Sequence, residues 1–130
     1  MSIQAQVLDA LQMLIAAHAF GVAVGALPAE NGFSMAVSAG RVLETTLANG
    51  CTLALDVALN AKYSNPQTGL DALCGIHEAL TALDRLPMGN GWQMIAIRTG
   101  GAPGYLGREG GQWLYASTLT VEYTTREIGM

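Results

Sequence analysis

Two hydrophobic periodicities follow each other in the stretch 51–86. In its first part every second residue is apolar, from Leu53 to Leu59, and this alternation predicts a strand with one buried face. After Asn65-Pro66 the apolar residues recur every three or four positions, which predicts an amphipathic helix ending near Leu86-Pro87; they are Leu70, Leu73, Ile76, Leu80 and Leu83. A strand that leads into such a helix forms a two-layer unit, and we expect the rest of the chain to complete it.

The N-terminal part predicts a helix and two strands. Ser2 is a suitable N-cap, and apolar residues at helical spacing predict a helix that runs to about Ala19 and stops at Gly21. The segment 22–27 is too short and too rich in glycine and alanine to assign, and 29–32 is predicted to be a turn. We predict strands over 33–39 and 41–48, separated by a break at Gly40.

Asn49-Gly50 predicts a β-hairpin between the strand 41–48 and the strand that starts at Cys51. A two-residue loop would pair Leu53 with Thr46 and would turn Leu43 and Leu47 away from the apolar face. Two interpretations remain: a bulge shifts the register by one residue, or both faces of the hairpin are covered.

The C-terminal part predicts two strands joined by a long loop. We expect a strand over 92–99, a glycine-rich loop from Gly100 to Gly111 and a one-sided strand from Gln112 to Arg126. In the last strand Trp113, Tyr115, Leu119, Val121 and Tyr123 share one face, whereas threonines and Glu122 occupy the other. The predicted fold is a single α+β domain over 1–130: a two-layer sandwich with a mostly antiparallel sheet and two main helices on one face.

Composition adds an expectation of assembly. The chain is 51% hydrophobic but only 12% charged, so we expect part of its surface to be buried against other subunits. The net charge of −4 and the lack of a basic run argue against sequence-specific nucleic-acid binding. No apolar run reaches the ~20 residues of a membrane span, and no signal peptide is recognisable. Cys51 and Cys74 are expected to be reduced core thiols of a cytoplasmic product.

The helix 66–86 brings Asp71, Cys74, His77 and Glu78 close together in sequence. Cys74 and His77 are three residues apart and could begin a metal site, but zinc needs two more ligands, and only Cys51 and His18 remain. A cysteine in the middle of a helix also lacks the setting that activates a nucleophilic thiolate. We therefore predict no metal, no cofactor and no catalytic residue, with Cys74 as a core residue and His77 on the helix flank.

The six glycines of the segment 100–111 suggest a phosphate-binding loop, but such loops join a strand to a helix. Here the glycines lie between two predicted strands, no Lys-Ser/Thr pair follows, and Pro103 removes a backbone donor. We interpret the segment as an interaction loop that presents Tyr105, Leu106 and Arg108; the alternative is an ordinary mobile loop.

Several segments resemble a family of tailed-bacteriophage minor capsid or tail terminator (tail completion) proteins. The matching residues fall between 51 and 125: Leu55–Asn60, Leu70–Leu73, Ile76–Thr81, Gly91–Gln93 with Ile95 and Ile97, Pro103, Tyr105–Glu109 and Gly111–Tyr115. The most specific are His77-Glu78-Ala79-Leu80 and Gly111-Gln112-Trp113-Leu114-Tyr115. The N-terminal third matches only in having a helix followed by strands.

The resemblance implies a non-enzymatic virion subunit of the head–tail region, assembled in the host cytoplasm. Members of this family form a hexameric ring that caps the tail tube, stops its growth and docks to the head connector. The expected partners are therefore other copies of the chain, the major tail tube protein and head-completion or connector proteins, while DNA passes through the lumen. The alternatives are a head-completion (minor capsid) protein of the same region and, more distantly, a small cytoplasmic ligand-binding or Cys/His enzyme domain.

Overall fold

A six-stranded sheet with two helices forms the molecule in the computed structural model, which describes residues 2–17, 22–24, 32–46 and 50–125. The elements in chain order are α1 (Ile3–Ala17), β1 (Val22–Val24), β2 (Gly32–Thr46), β3 (Gly50–Tyr63), α2 (Pro66–Thr81), β4 (Met88–Gly89), β5 (Trp92–Glu109) and β6 (Gln112–Thr125). The strand order is β1-β2-β3-β6-β5-β4; β1 pairs with β2 in parallel, and the other pairs are antiparallel. The predicted α+β class is confirmed.

Side-chain caps start both helices. Ser2 Oγ accepts a hydrogen bond from the Ala5 amide at 3.1 Å, which confirms the predicted N-cap of α1. Asn65 Oδ1 accepts hydrogen bonds from the amides of Gln67 and Thr68 at the start of α2, where Pro66 occupies the first turn. The predicted end of α1 at Ala19 and Gly21 lies outside the described residues.

Helix α2 is shorter than its apolar pattern predicts. It ends at Thr81 rather than near Leu86, with Ala82 as the C-cap. Leu83 and Leu86 still pack against the core, although the segment that carries them is not helical. The spacing of apolar residues thus predicted which side chains pack against the core, but it did not predict where the helix ends.

The hairpin of β2 and β3 corrects the predicted register. Strand β2 runs through Gly40 without a break, because register shifts at 37–39 and 42–44 absorb extra residues. Leu53 pairs with Val42, not with Thr46, and Thr46 pairs with Gly50. A bulge between Val42 and Glu44 shifts the register by one residue, but the rest of the difference arises because Gly50 pairs with Thr46, so the predicted two-residue loop is wrong. Residues 47–49, with Asn49 of the predicted turn, lie outside the described part.

The predicted loop from Gly100 to Gly111 is wrong. Residues up to Glu109 continue β5 and pair with β6, and only Gly110 and Gly111 form the turn, with φ of +55° and +78°. Three of the four register shifts in β5 fall within the glycine-rich part. Glycine weakens a strand, but pairing with the β-branched and aromatic residues of β6 holds this segment extended.

The core lies between one face of the sheet and both helices. On that face Leu55, Val57 and Leu59 of β3 pair with Val121, Leu119 and Ser117 of β6, and Leu59 and Leu119 are fully buried. The same core contains Val7, Leu11 and Ile15 of α1 and Leu73, Ile76 and Leu80 of α2. We refer to residues 53–61, 92–99 and 115–125, which carry this core in the sheet, as the base of the sheet.

Candidate interaction surface

The far end of the β5–β6 hairpin lies at one end of the sheet, where Trp113 of β6 also pairs with Tyr63 of β3. Tyr105 pairs with Tyr115, Arg108 with Trp113 and Glu109 with Gln112 before the Gly110-Gly111 turn. No residue from 104 to 113 is buried, and we call this stretch the hairpin tip. The tip is thus ordered by strand pairing, although it contributes little to the core.

The three residues predicted to form an interaction surface lie together on the hairpin tip. Tyr105 and Leu106 are 59% and 64% exposed, which is unusual for side chains of this size. The Tyr105 ring lies 5.6 Å from the Trp113 ring between centroids, and the Arg108 guanidinium lies 4.6 Å from the Trp113 ring centroid. Trp113 therefore holds both neighbours in place through ring contact and a cation–π contact.

Two glycines of the hairpin tip share the opposite face with Ala116 and Leu114. Gly104 pairs with Ala116 and Gly107 with Leu114, so these glycines lie on the strand face away from Tyr105. A Cβ built at either glycine would meet no atom within 4 Å, and neither residue has a positive φ. Both glycines border register shifts of β5, and such irregularities are common positions for glycine in a strand.

A groove lies at the other end of the same sheet. It has a volume of about 660 Å³ and is lined by Gly50, Cys51, Thr52, Met88, Gly89, Gly91, Trp92, Gln93, Thr124 and Thr125. None of these residues is charged, and Met88 is 66% exposed. Sequence reasoning missed this groove, because its residues come from four separate segments that are joined only by strand pairing.

His77 is buried between α2 and the sheet, so its predicted place on the helix flank is wrong. The side chain is 5% exposed, with Nδ1 at 2.9 Å from Thr99 Oγ1 and Nε2 at 2.9 Å from Ser117 Oγ. Ser117 Oγ also donates to the Leu59 carbonyl at 3.5 Å, which fits a tautomer with the proton on Nε2. Burial lowers the pKa of His77 and favours the neutral ring.

These contacts explain why a histidine occupies a core position. Both ring nitrogens are engaged by hydroxyl groups, so neither is available to bind a metal. Ser117 was the sequence signal, because it interrupts the apolar row of β6 between Tyr115 and Leu119. His77 joins α2 to β5 and β6 at the level where β5 leaves the helices.

The other candidates for chemistry do not converge on a site. Cys51 and Cys74 are not joined by a disulfide bond, and both are half-buried rather than part of the core. Asp71 accepts a hydrogen bond from Gln67 Nε2 at 2.8 Å, and Glu78 is exposed. In the parts of the chain that the structure describes, no three histidine, cysteine or acidic side chains come together as metal ligands would.

None of the described helices has the length and apolar character needed to cross a membrane.

Comparison with solved structures gives a match over nearly the full chain. No protein-family model matches the sequence, and no curated protein matches it. Among solved structures, the chain is similar to one from the "Virion of native gene transfer agent (GTA) particle", with a TM-score of 0.56 and 17% identity. The alignment covers 97% of this chain and 96% of the other. At that identity the similarity shows a common fold.

Proposed function

We propose that this chain is a non-enzymatic structural subunit of a phage-like virion, located in the head–tail region. The observation that carries the proposal is the fold shared with a chain of a gene transfer agent virion, which extends over nearly the whole of both chains. The segments of 51–125 that resemble tail terminator proteins support it independently, because they were identified from residues alone.

The narrower proposal is a tail terminator: copies form a ring, expected to be a hexamer, that caps the tail tube and joins it to head-completion proteins. The surface of a single copy supports an assembling protein. Tyr105, Leu106 and Met88 are more than half exposed, and large exposed apolar side chains of this kind are available for an interface. The net charge of −4 also suits a lumen through which DNA must slide without being held.

A head-completion or connector protein is the second candidate from the same virion region. Both roles would use the same fold, so the difference lies in which partner binds. A tail terminator binds the open end of the tail tube, whereas a connector protein binds the portal ring.

Two measurements test the proposal. Mass photometry at increasing concentration should show a closed ring, and purified tail tubes should gain a cap visible by electron microscopy. Glu78→Ala, an exposed change on α2, serves as a matched control that should leave both results unchanged. Binding to portal rings but not to tail tubes would select the connector role, and a chain that binds neither and remains monomeric at tens of micromolar would refute the proposal.

A further inference from the structure

We propose that His77 is a positioning residue for β5: it holds Thr99 opposite Leu119, so that the irregular pairing of the glycine-rich segment begins only after Thr99. Such a residue does more than fill the core, because it selects one of several possible registers between two strands. The inference concerns the fold of a single copy and goes beyond the proposed function, on which it does not depend.

The glycine-rich half of β5 contains little that could fix its own register. Ile97 is the last residue of β5 in the hydrophobic core, and beyond Gln93 only β6 pairs with β5 among the described residues. Three register shifts follow Thr99, and four of the eight residues from 100 to 107 are glycines. A shift of this segment would expose no core side chain of β5, and glycine-rich strands are prone to such slippage.

His77 contacts both strands at once. Its Nδ1 lies 2.9 Å from Thr99 Oγ1 on β5, and its Nε2 lies 2.9 Å from Ser117 Oγ on β6. The side chain is 5% exposed, so both ring nitrogens need partners within the protein. Ser117 Oγ also donates to the Leu59 carbonyl at 3.5 Å, which ties the β6 side of the contact to the middle of the sheet. The second contact, with Thr99, therefore depends on the position of β5 relative to β6.

No neighbour of Thr99 in β5 can replace its hydroxyl group. Arg98 lies on the opposite face, where its Nε forms an ion pair with β6 at 2.7 Å, and a Cβ at Gly100 would collide with Thr120 on that same face. A bulge placed one residue earlier would put Gly100 opposite Leu119 and leave Nδ1 of the ring without a partner. A buried acceptor without a hydrogen bond is costly, so this register is disfavoured.

The other contacts of this region constrain the register less. The ion pair of Arg98 and Glu122 lies at the surface, with the Arg98 side chain 69% exposed, and such pairs contribute little to stability. The ring contacts of Trp113 lie beyond the register shifts at 101–104, so they fix only the far end of the hairpin. His77 is therefore the contact that selects the register where the irregular pairing begins.

Replacement of His77 by an apolar residue tests the inference. In NMR spectra of the isotope-labelled wild-type protein, Gly100 and Gly101 should each give one amide signal. His77→Leu should double these signals, because the bulge can then occupy more than one position. The same change should speed amide hydrogen exchange in residues 98–104 by about tenfold, while exchange in β3 stays as in the wild type.

Conservative variants separate positioning from core packing. His77→Gln keeps one acceptor and one donor and should restore single signals. Thr99→Val removes the hydroxyl but keeps the shape and should behave like His77→Leu, whereas Thr99→Ser should behave like the wild type. Thr118→Val, which removes a hydroxyl from the opposite face beside Gly101, is the matched control that should keep single signals.

Several outcomes would overturn the inference. They are doubled signals in the wild type, single unshifted signals in a folded His77→Leu variant, equal behaviour of Thr99→Val and Thr99→Ser, and doubling caused by Thr118→Val. If His77→Leu does not fold, the two Thr99 variants decide, because Thr99 is exposed and its substitution leaves the core intact. None of these results depends on assembly, so failure here leaves the proposed function standing, and failure to assemble leaves this inference standing.

Discussion

The base of the sheet and the hairpin tip use the same two strands in opposite ways. In the base, β5 and β6 place Met94, Ile97, Leu119 and Val121 against the helices, and these side chains are almost completely buried. In the tip, the same strands carry Tyr105 and Leu106, more than half exposed, and no buried residue at all. The comparison shows that one half of the hairpin carries the core and the other half carries exposed side chains.

Two leucines give the largest test of this division. Leu119 is fully buried in the base, and Leu119→Ala should lower the free energy of unfolding by about 2–5 kcal/mol through lost burial and the remaining cavity. Leu106→Ala in the tip should change it by less than about 0.5 kcal/mol. Urea unfolding of both variants measures the difference, and equal losses would show that the tip belongs to the folding core.

Two glycines of β5 give the next test. A Cβ at Gly100 would collide with Thr120 Oγ1, which donates a hydrogen bond to Asp56 at 2.8 Å, so Gly100→Ala should cost about 1–3 kcal/mol by overpacking. Gly104→Ala meets open space and should leave the free energy of unfolding unchanged or slightly raised. The expected contrast is therefore a stability defect for the Gly100→Ala variant alone, measured by urea unfolding. Comparable stability of the two variants would argue against it.

The N-cap of α2 gives a smaller effect within the base. Asn65 satisfies two amides of the first turn, and Asn65→Ala should reduce the free energy of unfolding by about 1 kcal/mol. Asn65→Asp keeps the side-chain acceptor and should therefore retain most of the stabilisation by the cap. Denaturant unfolding of the two variants checks this, and a loss for Asn65→Asp as large as that for Asn65→Ala would contradict the capping role.

The smallest effect is expected from the pH dependence of His77. Burial lowers its pKa in the folded state, so below about pH 6.5 the unfolded chain binds the proton more readily than the folded one. The contribution of His77 to stability is therefore complete above pH 6.5 and declines as the pH falls towards the lowered folded pKa. His77→Gln should flatten this part of the profile, measured as thermal midpoints between pH 8 and pH 5.5; a wild-type profile identical to that of the variant would contradict the assignment.

The base could be predicted from the sequence because its buried apolar residues recur at the regular spacing of strands and helices. Alternation located β3 and the apolar face of β6, and helical spacing with Asn65-Pro66 located α2. The prediction failed where the local conformational preference of the residues differs from the conformation that strand pairing imposes. Gly100, Gly101 and Gly104 favour a loop, yet a strong neighbour, β6, keeps them in a strand.

The candidate surface was predictable only in its side chains. Tyr105, Leu106 and Arg108 stood out as large residues among glycines, and the structure places them together, whereas their role in binding stays a prediction. The contacts of Trp113 with Tyr105 and Arg108 depend on the register between β5 and β6. Four register shifts determine that register, and no local sequence pattern predicts them. The contacts of His77 depend on residues 22 and 40 positions away, and no local pattern contains such pairs.

The strand order also has a consequence for folding during synthesis on the ribosome. Strand β6 is the last described element, yet it lies in the middle of the sheet between β3 and β5. The hydrogen bond between Thr120 and Asp56, for example, spans 64 residues of sequence. Contacts so distant slow folding, because the loop between them must be closed first. During synthesis β3 therefore lacks one of its two strand partners until β6 has left the ribosome. The exposed edge of β3 makes the chain most prone to aggregation in this interval.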